Sequence, residues 1–521
     1  MKRGLRKLFA AAEEVLSRVF PPAWNPLLNL GALGFFFYWI VVISGIYVYI
    51  FFDTGILQAY RSVEYMTVDQ WYAAGIMRSL HRYASDGMVV VMMLHMVREW
   101  ALDRCRGARW FSWVTGVPVM VMIYVSGITG YWLVWDRLAF YVALVTSEWL
   151  DAAGIFGEPI ARNFLSVEHL NDRFFTLMIF LHIAVPLVAL IVLWVHLQRI
   201  TRPRIHPPRG LAVGVLVSLL VLALVHPATS QGPADPGRVP ADLGLDWFYL
   251  PLYPFYEKLP GPVTWSASLV LLFLFLSVPW LPPMRRRRPA RVDLANCNGC
   301  ARCFADCPYN AITMVMRSDG RPFAREPRVD PSLCVACGLC AGACPTAMPF
   351  RRRAELSPGI DLPDATIRAL RERVHAAAAR LVERPRVMVF GCEPGVDLTG
   401  LGGPAVAAVT VTCAGQLPPV FVDYVLSRDL ADGVVITGCA PGSCLHRFGQ
   451  AWTEARLARR RDPRLRRRVP DERVRTVWAG PLGRARLEAE IAAFRRALAA
   501  LGETPPVAPA PVSRAVETAD G

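Results

Sequence analysis

Six runs of apolar residues, near 31–52, 75–97, 112–135, 174–197, 210–227 and 263–281, dominate the first 281 positions of the chain. As helices rising about 1.5 Å per residue, such runs match a hydrocarbon core about 30 Å thick, so six membrane spans are predicted. The 210–227 run is the shortest. Residues 1–20 carry charge throughout and lack a small-residue cleavage pattern, which predicts an interfacial amphipathic helix and no signal peptide. Beyond residue 290 the pattern changes. Short β-rich apolar runs at 386–391, 406–412, 433–438 and 474–479 alternate with helical segments, as in a parallel sheet with crossover helices. The last residues, from about 503, are rich in Pro, Ala and Thr and read as a disordered tail.

Charge gives the spans a direction. Five Lys/Arg residues precede the first span, four follow the second, four follow the fourth and five follow the sixth, against six in all the opposite loops. The positive-inside rule then places both termini in the cytoplasm. The net charge of +15 is therefore topology and anionic-lipid contact, and no nucleic-acid partner is expected. Of 13 cysteines only Cys105 lies in the membrane half; twelve follow from Cys297 onward. In a reducing cytoplasm such a cluster reads as metal ligation, not disulfides.

Histidines supply the chemistry of the membrane half. His81 and His95, and again His182 and His196, are 14 residues apart within apolar runs. Fourteen helical steps cover about 21 Å and end about 40° short of four turns, so each pair occupies one helix face, near opposite edges of the membrane. Two such helices face to face offer two stacked His–His sites, an axial-ligand frame for two haems. Gly31/Gly45 and Gly116/Gly130 repeat the 14-residue spacing in the first and third runs. Residues without Cβ let a flat macrocycle approach the backbone. Arg78, Arg82 and Arg98 flank the ligands, placed either to neutralise haem propionates or to snorkel to the interface.

The cysteines form two CxxCxxCxxxCP runs, Cys297/Cys300/Cys303/Cys307 and Cys334/Cys337/Cys340/Cys344. In this two-cluster pattern the fourth cysteine crosses to the other cubane. One [4Fe–4S] cluster is therefore expected on Cys297, Cys300, Cys303 and Cys344, and the second on Cys334, Cys337, Cys340 and Cys307. Farther on, Cys392, Cys413 and Cys439 end three of the β-rich runs, and Cys444 follows in CAPGSC. Carboxyl ends of parallel strands share one sheet edge, where four thiolates can hold a [2Fe–2S] cluster. No Gly-rich dinucleotide fingerprint follows any strand, so neither flavin nor nicotinamide is expected on this chain.

Three resemblances carry these readings further. MRSLHRYASDGMVVVMMLHMVREW (77–100), WVTGVPVMVMIYVSGITGYWLVWDR (113–137) and LHIAVPLVALIVLWVHLQR (181–199) make residues 23–200 similar to the haem-carrying part of cytochrome b from quinol-oxidising bc and bf complexes. The resemblance implies that His81 with His182 holds the outer haem b and His95 with His196 the inner one. It also places Leu245–Asp246–Trp247–Phe248 where that family carries the Pro-Glu-Trp-Tyr of its outer quinol site, which makes Asp246 the catalytic proton acceptor. Arg199 and His206 fall where the family binds a second quinone. VTCAGQLPP (411–419) and DGVVITGCAPGSCLHRFG (432–449) resemble the delta iron–sulfur subunit of methyl-viologen-reducing hydrogenase, which exchanges electrons with a flavoprotein. His446 beside Cys444 is placed there either to hydrogen-bond a cluster sulfur or as a surface histidine. The cytochrome resemblance further implies a homodimer.

The expected architecture is an α-helical transmembrane bundle of six helices, then a ferredoxin-like α+β module and a small α/β parallel-sheet domain. Its segments are an interfacial amphipathic helix (1–22), a four-helix haem domain (23–209), a two-helix quinol-site domain (210–289), a two-[4Fe–4S] ferredoxin domain (290–350), a helical linker (351–384), a [2Fe–2S] domain (385–501) and the tail (502–521). The expected function is electron transfer between the quinone/quinol pool in a bacterial cytoplasmic membrane and a cytoplasmic flavoprotein or dehydrogenase. The rival reading is a non-catalytic membrane anchor and electron conduit whose outer quinol loop is vestigial.

Overall fold

The computed structural model describes residues 2–160, 165, 172–198, 200, 203–237, 242–281, 287–351 and 356–502. The expected disordered tail and Arg199 lie outside the described residues. Contacts divide the chain into a membrane unit, Val15–Met284, and a second unit built from Arg285 onward together with Arg3–Glu14.

The first unit is helical. The N-terminal helix α1 (Lys2–Val19) is shared between the units, most of it belonging to the second; the first then holds α2 (Leu30–Phe51), α3 (Gln58–Val68), α4 (Ile76–Ala101), α5 (Trp110–Val134), α6 (Arg137–Asp151), α7 (Asp172–Leu197), α8 (Arg209–Val225) and α9 (Gly261–Ser277). The six predicted runs are thus α2, α4, α5, α7, α8 and α9. Among the described residues, four helices are both long and apolar enough to cross a membrane: α2, α5 with its preceding turn, α7, and α9 with its following turn. The 17-residue α8 is apolar but shorter, and the 26-residue α4 carries Arg78, Arg82, Asp86, Arg98 and Glu99.

Helices α3 and α6, and the short helix Tyr253–Lys258, lie between the predicted runs and were not among them. The end of α5 explains α6. Trp135 takes a left-handed conformation (φ 51°) that stops the helix. The Asp136 carboxylate then accepts from Ala139 N–H at 2.8 Å, capping the first turn of α6. Its other oxygen accepts from Gln231 N–H at 2.9 Å, tying this corner to the loop after α8. Trp149 on α6 stacks on Trp265 of α9, with ring centroids 4.0 Å apart. Stacking these two half-buried indoles holds α9 against α6.

In the second unit, β1 (Arg291–Val292) pairs antiparallel with β4 (Ile360–Asp361), and β2 (Ile312–Met316) with β3 (Arg325–Val329). The residues expected to be a linker therefore supply β4. They also supply the helix Ile367–Ala378, whose Ile367, Leu370, Val374 and Ala377 are buried in one core with six of the twelve cysteines. A four-stranded sheet follows, in the order β6 (Val406–Val411), β5 (Val387–Cys392), β7 (Gly433–Gly438), β8 (Val474–Trp478), all parallel. Each strand lies within a residue of its predicted run. Side chains alternate across the sheet: Met388, Phe390, Val434 and Ile436 join the core shared with the cysteines. Val387, Val389, Val435 and Val477 face the C-terminal helix Arg484–Ala500 through Leu487, Ile491, Phe494 and Leu498.

Candidate functional site

The two histidine ladders meet the two glycine ladders in antiparallel order. A Cβ built on Gly45 would lie 2.9 Å from His81 Cε1, and one on Gly31 3.6 Å from His95 Cε1. On the other helix pair, Gly130 stands at 3.0 Å from His182 Cε1 and Gly116 at 3.3 Å from His196 Cε1. Every imidazole of the set therefore lies against a glycine backbone, and a larger residue at Gly45 or Gly130 must push its ring away. Across the pairs, the His81 and His182 rings are 6.1 Å apart between centroids, at 65°. That is the span of two imidazole radii plus two metal–nitrogen bonds of about 2 Å each. His95 and His196 are likewise within electrostatic reach of one another.

The protein also fixes which nitrogen is left to bind. His81 Nδ1 is 2.9 Å from the Val41 carbonyl, and His182 Nδ1 is 2.9 Å from the Ser126 carbonyl. His196 also bonds to the Ser112 carbonyl. A carbonyl can only accept, so Nδ1 carries the proton and Nε2 presents its lone pair. Each of these carbonyls is four residues before the matching glycine. The residue directly before that glycine adds a hydroxyl: Ser44 lies 3.3 Å from His81 Nδ1, Thr129 3.2 Å from His182 Nδ1 and Thr115 3.1 Å from His196 Nδ1. These three hydroxyls escaped the reading of the sequence, although a Ser/Thr-Gly dipeptide repeated at three of the four ladder glycines was there to be noticed. The fourth, Gly31, follows Leu30.

The arginines are engaged with protein acids and hydroxyls. Arg78 donates to Ser230 Oγ at 2.9 Å and to Thr67, with Glu64 3.7 Å away. Arg98 is buried and pairs with Glu99 at 3.3 Å. Arg82 holds two carboxylates, Asp86 at 2.6 Å and Asp246. Asp246 is itself fully engaged: Phe248 and Tyr249 N–H donate to Oδ1 at 3.0 Å each, and the Tyr131 hydroxyl joins Arg82 on Oδ2. Burial works to raise its pKa, but Tyr131, the two N–H groups and Arg82 outweigh it and hold the carboxyl below its ordinary value. His206 sits with its ring 6.2 Å from that of Phe35.

The cysteines of the second unit fall into three groups of four. Cys297, Cys300, Cys303 and Cys344 line one cavity. Cys307, Cys334, Cys337 and Cys340 line another. The crossing of Cys344 and Cys307 between the two sets is therefore built into the backbone. The third group lies at the carboxyl edge of the parallel sheet, where Cys392 contacts both Cys413 and Cys439, and Cys439 contacts Cys444. Glycines leave room here too: a Cβ on Gly449 would lie 2.4 Å from Cys413 Sγ and 3.5 Å from Cys444 Sγ, and one on Gly438 3.0 Å from Cys392 Sγ. Among the described residues, no trio of His, Cys, Asp or Glu groups closes on a single ion. The sulfurs of the first two groups line a space, whereas those of the third touch one another. Burial pushes the Cys303 and Cys337 thiols up to about 12, so these thiols are protonated at neutral pH. His446 is buried, and its Nδ1 meets the Tyr309 hydroxyl at 2.9 Å; it is not a surface histidine.

Comparison with known proteins matches three separate stretches of the chain. The family model Cytochrome b/b6/petB matches residues 15–203, the 4Fe-4S dicluster domain residues 296–348, and the methyl-viologen-reducing hydrogenase delta subunit residues 391–502. Cytochrome b6 of Porphyra purpurea is 30% identical over 203 residues, which are 38% of this chain and 93% of that protein. Cytochrome b6 of Gracilaria tenuistipitata var. liui and of Pyropia yezoensis are each 29% identical over the same shares. A chain of a solved "Hyperthermophilic respiratory Complex III" aligns over 50% of this chain and 75% of its own length, at 19% identity and a TM-score of 0.40. With its histidines opposed and glycine-backed, and with its sequence matched over nearly the whole of cytochrome b6, the chain belongs to the cytochrome b family, fused to a 4Fe-4S dicluster domain and to a domain of the hydrogenase delta-subunit kind.

Proposed function

We propose that the chain is a membrane electron-transfer subunit linking the quinone pool to a cytoplasmic flavoprotein or dehydrogenase. In this reading it holds two b haems, two [4Fe–4S] clusters and one [2Fe–2S] cluster. It lies in a bacterial cytoplasmic membrane with all six runs spanning and both termini and the iron–sulfur unit on the cytoplasmic side. The observation that carries the proposal is one chain with two glycine-backed histidine ladders and twelve cysteines in three groups of four. Bound haem and clusters supply one-electron carriage; bis-histidine ligation leaves the iron no open position for oxygen chemistry. The chain's own residues hold three of the four imidazoles by backbone carbonyls, gather the thiols into three groups and handle protons at the outer loop.

At that loop Asp246 is the proton acceptor in the leading reading. As placed, it can take a quinol proton only when Arg82 or Tyr131 releases Oδ2. The same engagement is the specific support for the rival, in which the loop is structural and the chain is a conduit and anchor: a carboxylate held below its ordinary pKa is a poor proton acceptor at neutral pH. Flow from low-potential clusters, near −400 mV in plant-type ferredoxins, toward quinone is downhill. Flow inward from an outer quinol works against the membrane potential, at about 2.3 kcal/mol per 100 mV.

Stopped-flow absorbance of haem reduction by a quinol analogue separates the two readings. Fast reduction that Asp246→Asn slows many-fold makes the outer loop a working quinol site. Reduction indifferent to the substitution leaves the loop structural.

A further inference from the structure

The third cysteine group is not equidistant from the two cavities. The helix Leu339–Ala343 carries Cys340 of the second cavity and packs onto the turn Ala414–Gln416, directly after Cys413. The approach is backbone to backbone: a Cβ on Gly342 would lie 2.0 Å from the Gly415 carbonyl, and one on Gly338 2.7 Å from Gln416 Cγ. The Cys337 thiol of the second cavity is within electrostatic reach of Cys413.

Three further links fasten the same junction. Tyr309, which lines the second cavity two residues after Cys307, bonds His446, two residues after Cys444, at 2.9 Å. Arg456 donates to the Gly415 carbonyl at 2.9 Å and to the Leu339 carbonyl at 3.5 Å, and pairs with Asp306. Arg461 takes the other oxygen of Asp306, the residue before Cys307. Buried charges left unpaired are strongly destabilising, so this network resists being pulled apart. On the other side, Cys340 of the second cavity is within electrostatic reach of Cys303 of the first. Cys300 of the first cavity is exposed.

We infer that the three centres form a line, in which the cluster of the second cavity alone exchanges electrons with the four-cysteine sheet edge, across the Gly342–Gly415 contact. This rests on reading the three cysteine groups as cluster sites. One electron given up by one centre is taken by the next, and no proton or further reactant is required. The residues at the junction contribute distance: tunnelling falls steeply with separation, and only glycines allow two main chains to meet here. Arg456 is a positioning residue that holds the junction closed.

Low-temperature electron paramagnetic resonance of the reduced full-length protein, loaded with its clusters, tests the line. The signal of the sheet-edge centre should be broadened by a neighbouring reduced cubane. Cys340→Ser should abolish that broadening while Cys303→Ser leaves it. Gly342→Ala keeps all twelve thiols yet forces the junction apart, and should weaken the broadening; Arg456→Gln should weaken it with Arg456→Lys partly restoring it. Broadening lost in Cys303→Ser and kept in Cys340→Ser, unaffected by Gly342→Ala, or absent from a wild-type protein that shows the sheet-edge signal, overturns the line alone. A wild-type protein without any sheet-edge signal overturns the reading of that group as a cluster site as well.

Discussion

At the scale of single residues, the opposed histidines and the grouped cysteines were the most legible part of the chain. Their spacing is imposed by helix geometry for the histidines and by cluster wrapping for the cysteines, and both survive in one dimension. The partners of Asp246 were not legible, because Arg82 and Tyr131 lie more than a hundred positions away and nothing local foretells the meeting. The buried thiols make a testable case. In iron-free protein, Cys303 and Cys337 titrate near 12 when folded, against an ordinary value of 9.0. A pKa raised by folding gives stability that is whole below 9.0 and lost as pH climbs toward 12. Thermal unfolding of chelator-stripped protein should therefore move to lower temperature across that window, and cluster-loaded protein, whose thiolates are already bound, should be less sensitive. An iron-free midpoint that does not fall over that range would contradict the burial of these sulfurs.

Among elements, long apolar helices and β-rich strands declared themselves by period, and the two amphipathic helices did not. The signals for α6 were present: a capping Asp136 and a helical stretch from Arg137 to Asp151. They were overlooked beside the stronger apolar runs. The same holds for the Ser/Thr-Gly dipeptides, whose role becomes visible only when α2 is laid along α4 and α5 along α7. The ladders predict how the helix pairs respond to a side chain. Gly130→Val would add atoms where even a Cβ stands 3.0 Å from His182 Cε1, turning the imidazole out of line with His81. Haem content measured by pyridine haemochrome should drop by half, the outer site emptying and the inner one remaining. Full retention of haem would show that the ring can yield without cost.

Over the whole molecule, the boundary between the two units at Met284/Arg285 coincides with the run of arginines that followed the sixth apolar segment. The composition of the two halves made that division plain, whereas the region expected to be a linker reads as charged helix and gives no hint that its first residues complete a sheet with β1. If the arginine-rich loops mark the cytoplasmic face, protease added to inside-out membrane vesicles should release the iron–sulfur unit, and protease added to right-side-out vesicles should leave the chain whole. The opposite result would reverse the orientation.

The opposition of His81 to His182 has a consequence for how such a molecule is made. Each glycine ladder meets a histidine ladder on its own side, α2 with α4 and α5 with α7, so either pair can assemble from neighbouring stretches of chain. The iron site cannot. His182 leaves the ribosome 101 residues after His81, a delay of about 5–20 s at about 5–20 residues per second. In the proposed reading, a haem shared by His81 and His182 can be gripped from both sides only once α7 has arrived, so it would act as a rivet set after both plates are in place.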